Sequence, residues 1–182
     1  MFGRRTVLGA LPASLVFAGH AANATVYLTP ADLPRLLFPA ATRTVDRSLT
    51  LTKSQIADIA KQSSTRVHFP KIHAVDAYGA DSRLGTIIID QVYGKHEFIT
   101  YAVALDTSGA IRDVEIMEYR ESYGDQVRLP KWRAQFLNKR HGDPLRIDAP
   151  IRNISGATLS CVHITDGVRR VLATYAIAFP NS

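Results

Sequence analysis

Apolar positions along this chain change period several times, and the changes divide it into elements. After Thr52, residues Ile56, Ile59 and Ala60 recur at helical spacing, and Thr52 with Gln55 forms a capping-box signature. The spacing predicts a helix ending near Ser63. Before it, Thr29-Pro30-Ala31-Asp32-Leu33 opens a short helix that reaches Leu37 and stops before Pro39. Ser48 to Leu51 alternates polar and apolar residues as a short strand does. From Gly85 the pattern becomes that of β-structure. Gly85 to Tyr93 is rich in β-branched residues, Gly94-Lys95 is a turn, and Phe98 to Leu105 is a second strand. Asp106-Thr107-Ser108-Gly109 reads as a hairpin turn. Ile111 to Tyr119 carries Ile111, Val114 and Ile116 among charged residues, with irregular alternation. Pro130 to Lys139 reads as a helix bearing Trp132, Phe136 and Leu137. A final helix carries Val162, Val168, Val171, Leu172 and Tyr175, with Ser160 as its N-cap. The order predicts an α+β fold: an antiparallel β-meander sheet packed by helices, the C-terminal helix among them.

The first 24 residues are set apart from this fold. Arg4-Arg5 is followed by a mostly apolar run from Val7 to Ala18, and Ala22-Asn23-Ala24 fits a small-residue cleavage site. Residues 1–24 therefore read as an export signal. The paired arginines favour the twin-arginine route over general secretion, and the location expected is the periplasm, with peripheral membrane association. The apolar run is short for a membrane span and Pro12 breaks it. Residues 25–182 are of a length suited to one domain.

Net charge is +6 and pI about 9.7. Part of that charge is the leader's, and the rest is spread along the chain. No dense basic run of the kind that binds nucleic acid is present. An acidic redox partner or a membrane surface suits this mild basicity better. The single cysteine, Cys161, excludes an intramolecular disulfide and reads as a small buried residue of the last helix. His68 and His73 enclose Pro70, which argues against a helical metal pair. His96, His141 and His163 read as turn, surface or packing residues. Zinc-protease, Walker and dinucleotide-loop motifs are missing, and Ser160 lies in no nucleophile-elbow sequence.

One stretch carries more specific chemistry: Ser155-Gly156-Ala157-Thr158-Leu159-Ser160, directly before the last helix. Gly156 and Ala157 let the backbone approach a phosphate, and Ser155, Thr158 and Ser160 offer hydroxyls. The helix start downstream adds unpaired N–H groups and the positive end of a dipole. The same residues also suit a plain glycine turn into a helix cap.

Ser155-Gly156-Ala157-Thr158 in this position resembles the flavin-attachment site of the FMN-binding domain family, known from the Rnf and Nqr electron-transport complexes and related exported flavoproteins. The likeness extends to the strands around Gly109 and to Glu121-Ser122-Tyr123-Gly124, which resembles a Glu-Thr-Pro-Gly segment that helps hold the flavin ring. Ser122 is a mild change from that pattern, and Tyr123 replaces its proline. Lys131 to Lys139 resembles a feature of exported members. Arg152 stands where family members often carry an acid, with Asp148 further upstream.

The resemblance implies FMN joined covalently by a phosphoester to Thr158, with Ser155, Gly156, Ala157, Leu159, Ser160, Glu121, Ser122 and Gly124 around it. It implies a separate flavin transferase that takes FMN from FAD, and electron carriage with a membrane-bound or periplasmic redox partner. The flavin would do the redox work while the protein binds and orients it. Arg120, Lys139 and Arg152 are candidate cations near it, and Tyr119, Tyr123 and Trp132 candidate stacking or core aromatics. Two other readings stay open: a module that holds FMN or another phosphate ligand non-covalently, and an interaction protein without cofactor.

Overall fold

The computed structural model describes residues 25–179. The export signal read at residues 1–24 lies outside the described residues, as do residues 180–182. In chain order the elements are β1 (Thr25–Val26), α1 (Leu33–Leu37), β2 (Arg43–Asp46), β3 (Leu49–Thr50), α2 (Lys53–Ser63), β4 (Lys71–Tyr78), β5 (Arg83–Tyr93), β6 (Phe98–Asp106), β7 (Ile111–Tyr119), α3 (Pro130–Arg133) and α4 (Thr158–Ala178).

The fold is α+β. Seven strands form one antiparallel sheet in the order β1-β7-β6-β5-β4-β2, with β3 paired to β4. Strands β5, β6 and β7 are the predicted meander. Ile88 faces Val103 across the first pair and Val103 faces Val114 across the second. Side-chain alternation gives the sheet two apolar faces. Along β6, Ile99, Tyr101, Val103 and Leu105 pack in the cluster that contains Ile164, Val168 and Val171 of α4. Ala102 and Ala104 point the other way, into a smaller cluster with Leu33, Leu37 and Phe38 at α1. Each such aliphatic side chain, fully buried, contributes roughly 1.5–3 kcal/mol.

The irregular alternation of β7 has a geometric cause. Thr100 faces Glu118 and Tyr101 faces Ile116, so Met117 is an extra residue; Ala104 faces Asp113 and Leu105 faces Ile111, so Arg112 is another. These two bulges bring Ile111, Val114, Ile116 and Tyr119 onto the α4 side despite their uneven spacing. Met117 goes to the α1 side.

Helix α2 carries the capping box expected of it. Gln55 N–H donates to Thr52 Oγ1 at 3.2 Å, and Thr52 N–H donates to Gln55 Oε1 at 2.9 Å. It packs on α4 through Ile59 and Ala173. Helix α4 lies close to the sheet at Gly167, where a Cβ would meet Tyr101 Oη at 2.3 Å. Next to that contact, Arg170 Nη2 donates to Asp90 Oδ2 at 2.6 Å and Tyr101 Oη donates to the same oxygen at 2.7 Å.

Several boundaries differ from those predicted. Helix α1 begins at Leu33 because the Asp32 carboxylate accepts from both N–H and hydroxyl of Thr29, which folds residues 29–32 into a turn. The helix predicted over Pro130–Lys139 is α3 followed by a 3-10 turn, Ala134–Phe136. Asn138 then takes a positive φ of 63°, and the Lys139 carbonyl accepts from Ile111 N–H at 2.8 Å. A second 3-10 turn, Asp125–Arg128, was not predicted. Nor were β2 and β4. Strand β4 buries Ala74, Asp76 and Ala77, residues of low strand preference. Asp76 accepts from Thr86 Oγ1 at 2.6 Å and lies 3.5 Å from both Arg47 and Arg83.

Candidate functional site

Helix α4 starts at Thr158, with Ala157 in the N-cap position and no side chain capping it. Ser160 is therefore not the N-cap. The chain reverses at Gly156, whose φ is 85°, and Ala157 N–H donates to the Ile154 carbonyl at 3.0 Å. Cys161 N–H already donates to Ala157 O at 2.9 Å, so helical bonding is established before Ser160. Ser160 instead turns into the protein, where its Oγ lies 2.8 Å from Tyr119 Oη.

A cavity of about 490 Å³ opens over this first turn. Gly156, Ala157, Thr158, Leu159 and Ser160 line one side of it. Glu121, Ser122 and Tyr123, which follow β7, line another, and Lys95 and His96 of the β5–β6 turn complete it. Thus three segments far apart in sequence meet at one end of the sheet. Of the residues expected at the site, Ser155 lies on the approaching loop outside the lining. Gly124 stands behind the wall: it has a φ of 98°, and a Cβ there would lie 2.6 Å from both Ser160 Oγ and Tyr119 Oη.

Glu121 holds the walls together. Its Oε1 accepts from His96 N–H at 2.6 Å and Glu97 N–H at 3.0 Å, which ties the β5–β6 turn to the segment after β7. Partial burial pushes its carboxyl upward, but donation from the Glu97, His96 and Lys95 backbone outweighs this and leaves it below the usual glutamate range. Tyr119 is buried beneath the cavity and donates to the Tyr123 carbonyl at 2.5 Å. Burial pushes its phenol above the usual range, with Ser160 opposing and Glu121 adding to the rise. Burial likewise pushes the Cys161 thiol up.

Thr158 itself is exposed. Its Oγ1 accepts from Asn153 Nδ2 at 2.9 Å, a contact the sequence reading did not contain. Tyr123 is 86% exposed beside it and Leu159 49% exposed. The remaining candidates lie elsewhere. Trp132 donates its indole N–H to Arg152 O at 2.8 Å, and both residues line a neighbouring groove with Leu129 and Ile154. Arg120 pairs with Glu118 at 2.9 Å. Lys139 sits beside the start of β7, the opposite end from the cavity. His163 lines a separate cleft with His68. The cation that lines the cavity is Lys95, which the sequence reading took only as a turn residue. Its signal was the β5–β6 hairpin, whose turn must fall at the same end of the sheet as the end of β7. Among the described residues, no cluster of three or more His, Cys, Asp or Glu could hold a metal ion.

An uncapped helix start, a Cβ-free turn, a reachable hydroxyl and one lysine together suit an esterified phosphate. The cavity volume lies within the usual range for small-molecule sites, roughly 300–1,000 Å³.

Residues 94–173 match the FMN-binding domain family. The match runs from the β5–β6 turn into α4 and so contains every residue that lines the cavity. The resemblance drawn from the sequence is to the same family. FMN is thus the ligand to fit against this cavity, whose lining includes Gly156 to Ser160 of the stretch singled out in the sequence. A solved structure, that of Shewanella oneidensis NqrC, aligns at 20% identity and a TM-score of 0.43 over 76% of this chain and 66% of that one. No curated protein matches the chain.

Proposed function

We propose that this protein is an exported electron carrier whose FMN is joined through a phosphoester to Thr158. The observation that carries the reading is the exposed Thr158 hydroxyl on the uncapped first turn of α4, inside the cavity of an FMN-binding domain. When bound, FMN supplies reversible one- and two-electron redox chemistry. The chain's own residues bind and orient. Gly156 has no atom within 4 Å of a would-be Cβ, so its backbone is open to a phosphate. The N–H groups of the first turn and the positive end of the α4 dipole favour negative charge there. Lys95 adds a full positive charge, and Tyr123 and Leu159 give apolar surface at the mouth. Glu121 keeps Lys95 and His96 over the cavity by fixing their turn.

A covalent link would retain the cofactor outside the cytoplasm, where the leader read at residues 1–24 would send the chain. Maturation would need a flavin transferase, and turnover a membrane-bound or periplasmic redox partner in a respiratory or other extracytoplasmic chain. The test is the intact mass of denatured protein, produced with and without an active transferase, for wild type and Thr158→Val. An FMN adduct on wild type that is absent from Thr158→Val is the expected result. Flavin that is present but lost on denaturation would replace the reading with non-covalent binding. A colourless protein with no added mass would leave a cofactor-free interaction domain.

A further inference from the structure

The geometry points to Asn153 as a positioning residue for the Thr158 hydroxyl, a role that rests on Thr158 being the flavin acceptor. The Asn153 side chain is fixed at both ends. Its Oδ1 accepts from Ile154 N–H at 2.8 Å, so the amide group must present Nδ2 to Thr158 Oγ1, 2.9 Å away. The backbone just before it is clamped as well. Arg152 N–H donates to Gln135 Oε1 at 2.8 Å, and Arg152 O accepts from Trp132 Nε1 at 2.8 Å. Trp132 is buried and meets Phe136 edge to face at 5.2 Å, so the clamp stands on the core.

A donor at this place has a chemical consequence. It occupies one lone pair of Oγ1 and turns the hydroxyl proton away from Asn153. A second lone pair remains free on the oxygen of this exposed residue. In flavin transfer from FAD, Oγ1 forms a bond to the phosphorus of the riboflavin-side phosphate. The bond from that phosphorus to the AMP oxygen breaks, AMP leaves, and the hydroxyl proton passes to a base of the transferase or to water; nothing is oxidised or reduced. Throughout, Oγ1 can accept from Asn153, because the ester oxygen of the product has no proton to give. A carboxylate at 153 would keep the Ile154 bond. It would, however, accept a hydrogen bond from the Thr158 hydroxyl in place of donating one, repel the incoming FAD phosphates, and face the negative phosphoester after reaction. The amide therefore suits both ends of the reaction, and its isosteric acid suits neither the incoming phosphate nor the product.

The test uses the full chain with an active transferase and FAD, following adduct mass against time for wild type and Asn153→Asp, with thermal unfolding of both. A second measurement is made on the unmodified protein: the Asn153 side-chain amide resonances with Thr158 and with Thr158→Val. The expected results are an Asn153→Asp rate lower by about tenfold or more at matched unfolding temperature, and a shift of one Nδ2 proton on Thr158→Val. Equal rates for the two proteins, or amide resonances unmoved by Thr158→Val, would overturn the Asn153 role and leave the acceptor reading standing. A wild type that gains no FMN would remove the acceptor reading and the Asn153 role together.

Discussion

Gly124→Ala separates two accounts of one residue. The family resemblance places Gly124 among the residues around the flavin, whereas the structure places it behind the cavity wall, against the Tyr119–Ser160 contact. An alanine there faces two costs. Its backbone has a φ of 98°, where an L side chain is strained by roughly 1–2 kcal/mol. Its Cβ would lie 2.6 Å from both Ser160 Oγ and Tyr119 Oη. Neither oxygen can retreat freely. The phenol is bonded to Tyr123 O at 2.5 Å and to Ser160 Oγ at 2.8 Å. Overpacking of this kind adds about 1–3 kcal/mol, and a broken hydrogen bond about 0.5–1.5 more. The sum is a destabilisation of about 2.5–6.5 kcal/mol, a large part of the stability of an ordinary domain. Urea unfolding of the unmodified protein at 25 °C, followed by far-UV circular dichroism, measures it directly. A loss below about 1 kcal/mol would refute the packing argument. If stability held while flavin loading failed, Gly124 would be a ligand residue rather than a packing one.

Further outcomes follow from the same contacts. Asp76→Ala leaves the half-buried Arg83 without its ion-pair partner and the buried Thr86 hydroxyl without its acceptor, and should cost about 1–3 kcal/mol in urea unfolding; a loss under 1 kcal/mol would show that the cluster is not coupled to folding. Because the Glu121 carboxyl is held below its usual range, its stabilisation is full above the unfolded value near 4.3 and is lost as pH falls through the lower folded value. The amide resonances of His96 and Glu97 should move together in that acidic window, and unchanged resonances in Glu121→Gln would contradict the tie. Cys161 is fully buried with its thiol pushed up, so a maleimide at neutral pH should leave the folded protein unlabelled and react once it is unfolded. Gly167→Ala gains about 1 kcal/mol of helix preference, yet should destabilise the protein, because its Cβ would meet Tyr101 Oη at 2.3 Å and Val92 Cγ1 at 2.7 Å. A net gain in unfolding midpoint would show that α4 can lift away from the sheet.

Sequence patterning was most legible where one force acted alone. Helix α2 declares itself through Thr52 and Gln55, two residues that cap each other locally. The β5–β7 meander is clear because its strands are long, β-branched and joined by short turns. Strand β4 was silent for the opposite reason. It is held by β-ladder pairing on both sides and by a buried Asp76, which no alternation of apolar residues reveals. Strand β2 is exposed along its whole length and leaves no pattern at all. The excess length predicted for α3 came from counting Leu137 as part of its apolar face. Leu137 is 40% exposed, and the chain there turns away to meet β7.

The site divides along the same line. Ser155 to Ser160 stood out because close approach to a phosphate asks for small residues and a hydroxyl next to one another in the chain. Thr158 Oγ1, however, is oriented by Asn153, and Asn153 is aimed by Ile154 N–H beside it and by Trp132 and Gln135 across the loop. Lys95 reaches the cavity because Glu121 accepts from the turn that carries it. Each of these residues has an ordinary local context, so its sequence neighbours mark it as turn, loop or short helix. Their joint meaning exists only after β5, β6 and β7 place a hairpin turn, the end of a strand and the start of α4 at one end of the sheet. A helix starting at Ser160, as the capping rule alone predicts, would have left Thr158 in the preceding loop. Capping at Ala157 puts Thr158 on the first turn, in the lining of the cavity, and frees Ser160 to lock that turn to Tyr119.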